Sequence, residues 1–223
     1  MKTLAILPVK SFGAAKQRLA SALSPGARRE LARAMFADVL DALLEVPDLD
    51  EIAVVAADRE AASAITPATH GAPVRRLSDT EQAGQSAAAL IGIRHALEHG
   101  FERVLLVPGD TPLIDPAEVA ALLARAAPVA VVPDRHGTGT NALVLSPPDA
   151  IEPSFGPGSR ARHEAAAATA GVPDPVEEVP TLMLDVDTVD DLAALEAALE
   201  AHPRHAPATR KTLQAALSCL DPA

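Results

Sequence analysis

Hydrophobic and polar positions along this chain form two alternating patterns. Six short apolar runs, rich in Val, Ile and Leu, have the length of strands buried in a sheet. We predict strands over residues 4–9, 52–56, 104–107, 129–132, 142–145 and 182–186. The segments between these runs carry apolar residues at the spacing of one helix face, so strand and helix alternate.

Local signals mark several of the predicted helix ends. Ser24 is a good N-cap, Pro25 suits the first helical position, and Gly100 is a typical C-terminal cap. The predicted helices cover residues 25–46, 85–99, 116–126, 161–170, 189–201 and 210–220. This alternation predicts an α/β fold, a mostly parallel Rossmann-like sheet with helices on both faces.

Chain length indicates one domain. The 223 residues suffice for one α/β domain with a full core and are too few for two ordinary domains. No internal repeat or linker interrupts the pattern, and the only plausible hinge is the proline-bordered stretch 203–207. We therefore predict a domain over residues 1–202 with a short C-terminal helical tail, residues 203–223, packed on it.

Composition limits the classes of partner and compartment. A net charge of −11 disfavours a surface for nucleic acid or anionic membrane, and the absence of Trp and Tyr disfavours base stacking. The single cysteine, Cys219, has no internal disulfide partner, no signal peptide is visible, and no apolar run approaches the ~20 residues of a membrane span. A reducing cytoplasm is the expected compartment. The sequence leaves the oligomeric state open.

The segment RVLLVPGDTPL, residues 103–113, carries the first chemical signal. A buried strand stops at Pro108, and Asp110 follows at the carboxyl end of a central strand, where open α/β sheets bind their ligands. An isolated carboxylate there suits magnesium, which needs few protein oxygens when substrate phosphates supply the rest. The alternative is an ordinary turn in which Asp110 caps the next helix.

A basic loop follows the first strand. Seven of the first 33 residues are basic against a single acid, and Lys10, Gly13, Lys16 and Arg18 fall in one loop, VKSFGAAKQRL. The loop is neither a dinucleotide-binding GxGxxG nor a P-loop, so its basic side chains would neutralise a triphosphate directly. The remaining basic residues of the next helix, Arg28, Arg29 and Arg33, are expected to form a solvated face.

Two glycine-rich turns, VPDRHGTGTNALVL and PSFGPGSRARH, place small hydroxyl residues beside basic ones. In the second turn, Gly156 to Ser159 directly precede a predicted helix, so free backbone N–H groups and the helix dipole would meet at one anion site. The alternative is an ordinary loop with Ser159 as N-cap.

Two further carboxylates close the last predicted strand in LDVDTVDDL. Residues two apart face the same side of a strand, so Asp185 and Asp187 could both approach a cation held by Asp110. The alternative is a strand-to-helix junction in which Asp187 or Thr188 only caps the following helix.

Six motifs, in the order in which they occur, resemble one family, the phosphoenolpyruvate and 2-phospho-L-lactate guanylyltransferases of coenzyme F-420 biosynthesis. The motifs are PVKSFGAAKQRL, Gly84-Gln85-Ser86, VPGDTPL, GTGTNAL, FGPGSRARH and LDVDTVDDL. The resemblance covers nearly the whole chain. It implies a single-domain, three-layer nucleotidyltransferase fold like that of the molybdenum-cofactor guanylyltransferases. It also implies that GMP is transferred from GTP to phosphoenolpyruvate with release of pyrophosphate.

The resemblance further implies residue roles. GTP would be bound by Lys10, Gly13, Lys16, Arg18, Gly84 and Ser86. The acceptor's phosphate and carboxylate would be bound by Thr140, Gly156 and Ser159. Magnesium would be held by Asp110, Asp185 and Asp187, and the catalytic group would be Lys10, Lys16 and Asp110. Two motifs depart from the family, which more often has Gly-Leu-Asn at residues 84–86 and Ala-Asp-Leu-Pro at residues 109–112.

The chemistry needs no nucleophilic side chain, because a phosphorylated acceptor is already anionic. His136 and His163 are therefore expected to be anion contacts or surface residues. Three alternatives stay open: 2-phospho-L-lactate or 3-phosphoglycerate as acceptor, another nucleotidyl- or glycosyltransferase on the same fold, and a non-catalytic GTP-binding subunit.

Overall fold

A six-stranded mixed sheet with strand order β3-β2-β1-β4-β6-β5 forms the centre of the protein. The computed structural model describes residues 1–14, 16–56, 70–125 and 127–218. The strands are β1 Thr3–Val9, β2 Glu51–Ala56, β3 Val74–Ser78, β4 Arg103–Leu106, β5 Val129–Pro133 and β6 Thr140–Leu145. Only β6, within these ranges, runs against its neighbours β4 and β5. The connection of residues 134–139 explains the reversal, because a parallel crossover needs a dozen or more residues.

Helices cover both faces of the sheet. Within the described residues, the helices are α1 Pro25–Leu44, α2 Gln85–Glu98, α3 Pro116–Arg125, α4 Ser159–Thr169, α5 Val189–Ala201 and α6 Pro207–Ser218. Along β1, Ala5 and Leu7 join a core formed with α1 and α3, while Leu4 and Ile6 join a second core formed with α2 and α4. The period-two alternation of a strand thus divides its apolar residues between two layers of helices. The predicted three-layer α/β fold is confirmed.

Two strand predictions were wrong. Strand β3 was missed because its sequence, VRRLS, holds two exposed arginines at the sheet edge and contains no continuous apolar run. Conversely, residues 182–186 form no strand: a short 3-10 turn, Pro180–Leu182, precedes irregular chain. Leu184 and Val186 are buried against α5, not paired in the sheet. Burial of apolar side chains by a helix therefore produced the apolar pattern of a strand.

The predicted helices are all present, with shifted ends. Helix α4 begins at Ser159 and not at 161, and α6 begins at Pro207 and not at 210. The predictions also included Ala126 and residues 219–220, among them Cys219. These residues lie outside the described residues.

Helix α6 packs against α1. The buried carboxylate of Asp38 accepts hydrogen bonds from the backbone N–H groups of Ala208 (3.0 Å) and Thr209 (2.7 Å), at the N-terminal turn of α6. A carboxylate at this end also interacts favourably with the helix dipole. The division of the chain at residue 202 stays a prediction.

Candidate active site

A cleft of about 660 Å³ opens at one edge of the sheet. The carboxyl ends of β1, β3 and β4 meet there, and because β6 is reversed, its first residues, Thr140 and Asn141, reach the same edge. The predicted position of Asp110 at the carboxyl end of a central strand is confirmed, since β4 lies between β1 and β6. The cleft therefore occupies the usual ligand position of an open α/β sheet.

A buried lysine in the cleft joins two carboxylates that lie far apart in the sequence. The Nζ atom of Lys16 donates hydrogen bonds to Asp110 (2.5 Å) and to Asp187 (2.9 Å). The lysine side chain is only 7% exposed, whereas that of Asp187 is 50% exposed. Lys16 itself has a left-handed backbone, with φ of 56°, at the turn between two short 3-10 segments. The loop conformation thus directs the ammonium group inward.

The charge state of this lysine follows from its partners. Burial alone would lower the pKa of Lys16, but the carboxylates of Asp110 and Asp187 outweigh it and raise the pKa above the ordinary value. The ammonium group is therefore charged at neutral pH. Because one ammonium group faces two carboxylates, the cluster keeps an excess of negative charge.

Asp185 adds a third carboxyl group to the cleft. Its Oδ1 atom accepts a hydrogen bond from the buried amide of Asn141 at 3.2 Å, and the N–H of Val186 donates to the carbonyl oxygen of Asp110 at 3.2 Å. Burial, together with the charge of Asp110, raises the pKa of Asp185 to about 6. The expected convergence of these carboxylates is present, but the proposed reason was wrong, because the segment is held by these bonds and not by strand alternation.

Thr188, and not Asp187, caps α5. Its hydroxyl accepts from the N–H of Asp191, whose carboxylate in turn accepts from the N–H of Thr188. This capping box explains the sequence LDVDTVDDL locally. It leaves Asp187 available to Lys16.

Arg28 is not part of a solvated helix face, contrary to the prediction. Its side chain is buried, and Nη1 donates to the Oε1 atom of Gln17 at 3.0 Å and to the carbonyl oxygen of Lys16 at 3.4 Å. These bonds fasten the basic loop to the first turn of α1. Arg29 and Arg33 are exposed, as expected.

A further part of the cleft wall contains the predicted acceptor residues Thr140, Gly156 and Ser159. Gly158, with φ of 69°, is the N-cap of α4, so the alternative that gave this place to Ser159 was wrong. The N–H of Ser159 donates to the carbonyl oxygen of Gly156 (3.0 Å), and the N–H of Arg160 donates to that of Thr138 (3.3 Å). These two amides are therefore not free for an anion, contrary to the prediction.

The arginines near this wall bond to other groups of the protein. Arg160 pairs with Glu164 and Arg135 with Asp191, each at 2.6 Å. Arg162 donates to the Oγ and carbonyl oxygens of Ser154 at 2.8 Å. Arg160 and Arg135 are thus paired with carboxylates, whereas Arg162 keeps its charge among neutral oxygens.

His163 is fully buried, so the prediction of a surface residue or anion contact was wrong. Its Nδ1 atom lies 2.9 Å from the hydroxyl of Thr140, and its Nε2 atom accepts the backbone N–H of Ser154 at 2.8 Å. Burial, and then the charge of Arg162, lower the pKa of His163 to about 4. The ring is neutral at physiological pH.

The residues expected to bind GTP fall into two groups. Lys10, Lys16, Arg18 and Gly84 line the cleft. Gly13 and Ser86 do not; the Ser86 hydroxyl accepts the N–H of Phe155 at 2.9 Å and so ties α2 to the acceptor loop. Sequence reasoning gave no role to six polar cleft residues: Ser11, Asp79, Gln82, Gln85, Asp134 and Asn141. Recognition of β3 would have located Asp79, which directly follows that strand.

Magnesium was expected at Asp110, Asp185 and Asp187. Within the residues that the structure describes, no group of three or more His, Cys, Asp or Glu side chains is arranged to hold a metal ion. The donor chemistry nevertheless fits magnesium, because three carboxyl groups and one ammonium group leave carboxylate oxygens in excess. One or two carboxylates plus phosphate oxygens are a common magnesium environment.

No helix in the described ranges has both the length and the apolar character needed to cross a bilayer.

The profile of the family described as "Guanylyl transferase CofC like" matches residues 3–213. The chain is 48% identical over 199 residues to the phosphoenolpyruvate guanylyltransferase of Conexibacter woesei, covering 87% of both chains. It is 41% identical over 211 residues to that of Rubrobacter xylanophilus, covering 92% of this chain and 100% of the relative.

Solved structures agree on the fold. A Desulfovibrio desulfuricans protein assigned provisionally as a nucleotide-diphospho-sugar transferase has a TM-score of 0.75 at 19% identity, with 100% of both chains covered. A nucleotidyl transferase from Methanothermobacter has a TM-score of 0.62 at 17% identity, covering 90% of this chain and 98% of the other. At these identities the likeness concerns the fold alone. By its match over residues 3–213, the chain belongs to the CofC-like guanylyl transferase family.

Proposed function

We propose that this protein transfers GMP from GTP to phosphoenolpyruvate, with release of pyrophosphate, in coenzyme F-420 biosynthesis. The observation that carries the proposal is that one cleft contains two chemically different groups. The Lys16–Asp110–Asp187 cluster, which we call the ionic end, carries charge, and Thr140 and Ser159, which we call the acceptor end, present hydroxyl groups. The family and the names of the two curated relatives support the same reaction.

The chain's residues act mainly by position and charge. An oxygen of the acceptor's phosphate attacks the α-phosphorus of GTP, and the bond from that phosphorus to the bridging β-oxygen breaks as pyrophosphate leaves. The acceptor is already anionic, so no side chain has to remove a proton. Alignment of the two anions and neutralisation of their charge supply the rate enhancement.

Lys10, Lys16 and Arg18 would contact the triphosphate. Lys10 is exposed just after β1, and Arg18 lines the cleft from the same loop. Lys16 is held between two carboxylates, so its orientation is set before substrate arrives. A positively charged group that needs no rearrangement is the most effective kind of electrostatic stabiliser.

Asp110, Asp185 and Asp187 are the residues that would hold magnesium. The ion, when bound, would neutralise phosphate charge and polarise the phosphoryl oxygens. Asn141 orients Asp185 through its amide, and Val186 fixes the segment to Asp110.

At the acceptor end, Thr140, Gly156 and Ser159 would contact the phosphate and carboxylate of phosphoenolpyruvate. Phosphoenolpyruvate and 2-phospho-L-lactate share both anionic groups and differ by two hydrogens. Pocket shape alone discriminates such pairs by roughly 10 to 200-fold.

The test is incubation of the purified protein with magnesium, GTP and each acceptor, with pyrophosphate release and product mass as readouts. We expect the guanylyl-diphospho product of phosphoenolpyruvate. A more than tenfold higher kcat/KM with 2-phospho-L-lactate or 3-phosphoglycerate would refute the acceptor and retain the guanylyl transfer. Product with CTP in place of GTP would indicate another nucleotidyltransferase, and GTP binding without pyrophosphate release a non-catalytic subunit.

A further inference from the structure

His163 is a fully buried titratable group that the proposed reaction does not use. It lies on α4, and both of its ring nitrogens are engaged, by Thr140 from β6 and by Ser154 from the loop before α4. The ring of Phe155 meets the imidazole edge-on, with centroids 5.3 Å apart and planes at 74°. Two segments, β6 and the loop before α4, therefore fix the position of the imidazole.

The bond from Ser154 determines where the imidazole carries its proton. A backbone N–H can only donate, so the Nε2 atom that receives it must be unprotonated. A neutral imidazole then carries its single proton on Nδ1. The lowered pKa of His163 agrees with this neutral form.

The direction of the second bond follows. Because Nδ1 carries the proton, it donates to the Thr140 hydroxyl oxygen at 2.9 Å. A hydroxyl has one proton and two lone pairs. The Thr140 hydroxyl oxygen thus accepts a hydrogen bond from His163. The hydroxyl proton of Thr140 remains available to donate to another group.

Thr140 lines the cleft beside Gly156 and Ser159. We propose that His163 is a positioning residue that makes Thr140 a hydrogen-bond donor toward an anionic oxygen of the acceptor. The identity of that anion rests on the proposed function, whereas the tautomer and the direction of the Thr140 bond do not. The same arrangement disfavours a ligand that presents a hydroxyl or amine proton to Thr140.

Two substitutions separate positioning from support of the loop. In His163→Gln, the side-chain oxygen can reach the position of Nε2 and keep the Ser154 bond, but the donor to Thr140 is lost. In His163→Asn, the amide can replace Nδ1 as the donor to Thr140, but the acceptor for Ser154 is lost. A loop-supporting role predicts the larger defect in His163→Asn, and the positioning role predicts it in His163→Gln.

We expect His163→Gln to raise the acceptor KM by about tenfold, the scale of a hydrogen bond to a charged group, with the GTP KM unchanged. The effect should vanish in a Thr140→Val background, where no hydroxyl is left to orient. Equal defects of His163→Gln in both backgrounds, or a larger acceptor KM for His163→Asn, would overturn the proposal.

A measurement on the unsubstituted protein is independent of turnover and of variant stability. Ring 15N–1H correlation spectra report the protonation of each histidine nitrogen, and loss of one signal in either variant assigns His163 among the seven histidines. Protonated Nδ1 with bare Nε2 is the expected result, and the opposite tautomer would refute the positioning role. If no acceptor is turned over, the proposed function fails while this spectrum still decides the tautomer.

Discussion

The two ends of the cleft are built from different kinds of interaction. The Lys16–Asp110–Asp187 cluster is ionic, and each member comes from a different part of the chain. At Thr140 the acceptor wall uses a neutral hydrogen bond, because His163, its partner, is uncharged. Charged groups would therefore act at the ionic end, where pyrophosphate would leave. Fixed hydrogen-bond dipoles would act at the acceptor end, where one small anion must be oriented.

The largest effect should come from removing a charge at the ionic end. Asp110→Asn keeps the shape of the side chain but loses a candidate magnesium ligand and a partner of Lys16. We expect turnover to fall by at least about a hundredfold, the scale of removing one preorganised electrostatic group. Pyrophosphate release with saturating magnesium measures it.

Asp190→Asn is the matched control, since Asp190 is an exposed carboxylate on the first turn of α5. It should retain full turnover. Activity of Asp110→Asn within tenfold of the unsubstituted protein would show that Asp110 is not the anchor of the ionic end.

A neutral substitution should affect the acceptor end alone. Ser159→Ala removes a nearly fully buried hydroxyl that lines the cleft. We expect acceptor binding to weaken by about 1 to 3 kcal/mol, the scale of a hydrogen bond to a charged group, with GTP affinity nearly unchanged. Separate KM values for the two substrates measure this. An unchanged acceptor KM, or an equal rise in both values, would contradict the division of the cleft.

Arg28→Met tests whether the ionic end depends on its support from α1. The guanidinium group bonds to the chain at Lys16 and Gln17, so its loss should loosen the basic loop. We expect the GTP KM to rise roughly three- to tenfold, as for the loss of one or two ordinary hydrogen bonds, with the acceptor KM unchanged. Arg33→Met, on the exposed face of the same helix, should change neither value. Equal effects of both substitutions would rule out a loop-specific role.

The acceptor end should also show a pH dependence of stability. The pKa of His163 is about 4 in the folded protein against 6.5 ordinarily, so between these values only the unfolded chain binds the proton. The free energy of unfolding should therefore fall as the pH drops from 6.5 toward 4, and this group should contribute no slope above 6.5. Urea unfolding at pH 7 and pH 5 measures the difference. His163→Gln should show a smaller decrease than the unsubstituted protein; an equal decrease would exclude His163 as its source.

Local patterns predicted most of the fold. The apolar runs located five of the six strands of the sheet, and Ser24, Pro25 and the run after Thr188 located helix ends, because caps and periodicity are short-range properties. The two strand errors arose where an apolar sequence and pairing in the sheet do not coincide. The arginines of β3 belong to an edge strand, and Leu184 and Val186 are buried by a helix.

The sequence by itself determined the α/β alternation, the position of Asp110 at a strand end, and which loops carry basic, hydroxyl and carboxylate groups. Only the tertiary structure decided which of these groups meet. Lys16 reaches Asp110 and Asp187 across 94 and 171 residues of chain, Arg28 turns inward, and His163 faces Thr140 from another element. Pairing, burial and proton position depend on distances in space, and these are set when the sheet brings its strand ends to one edge.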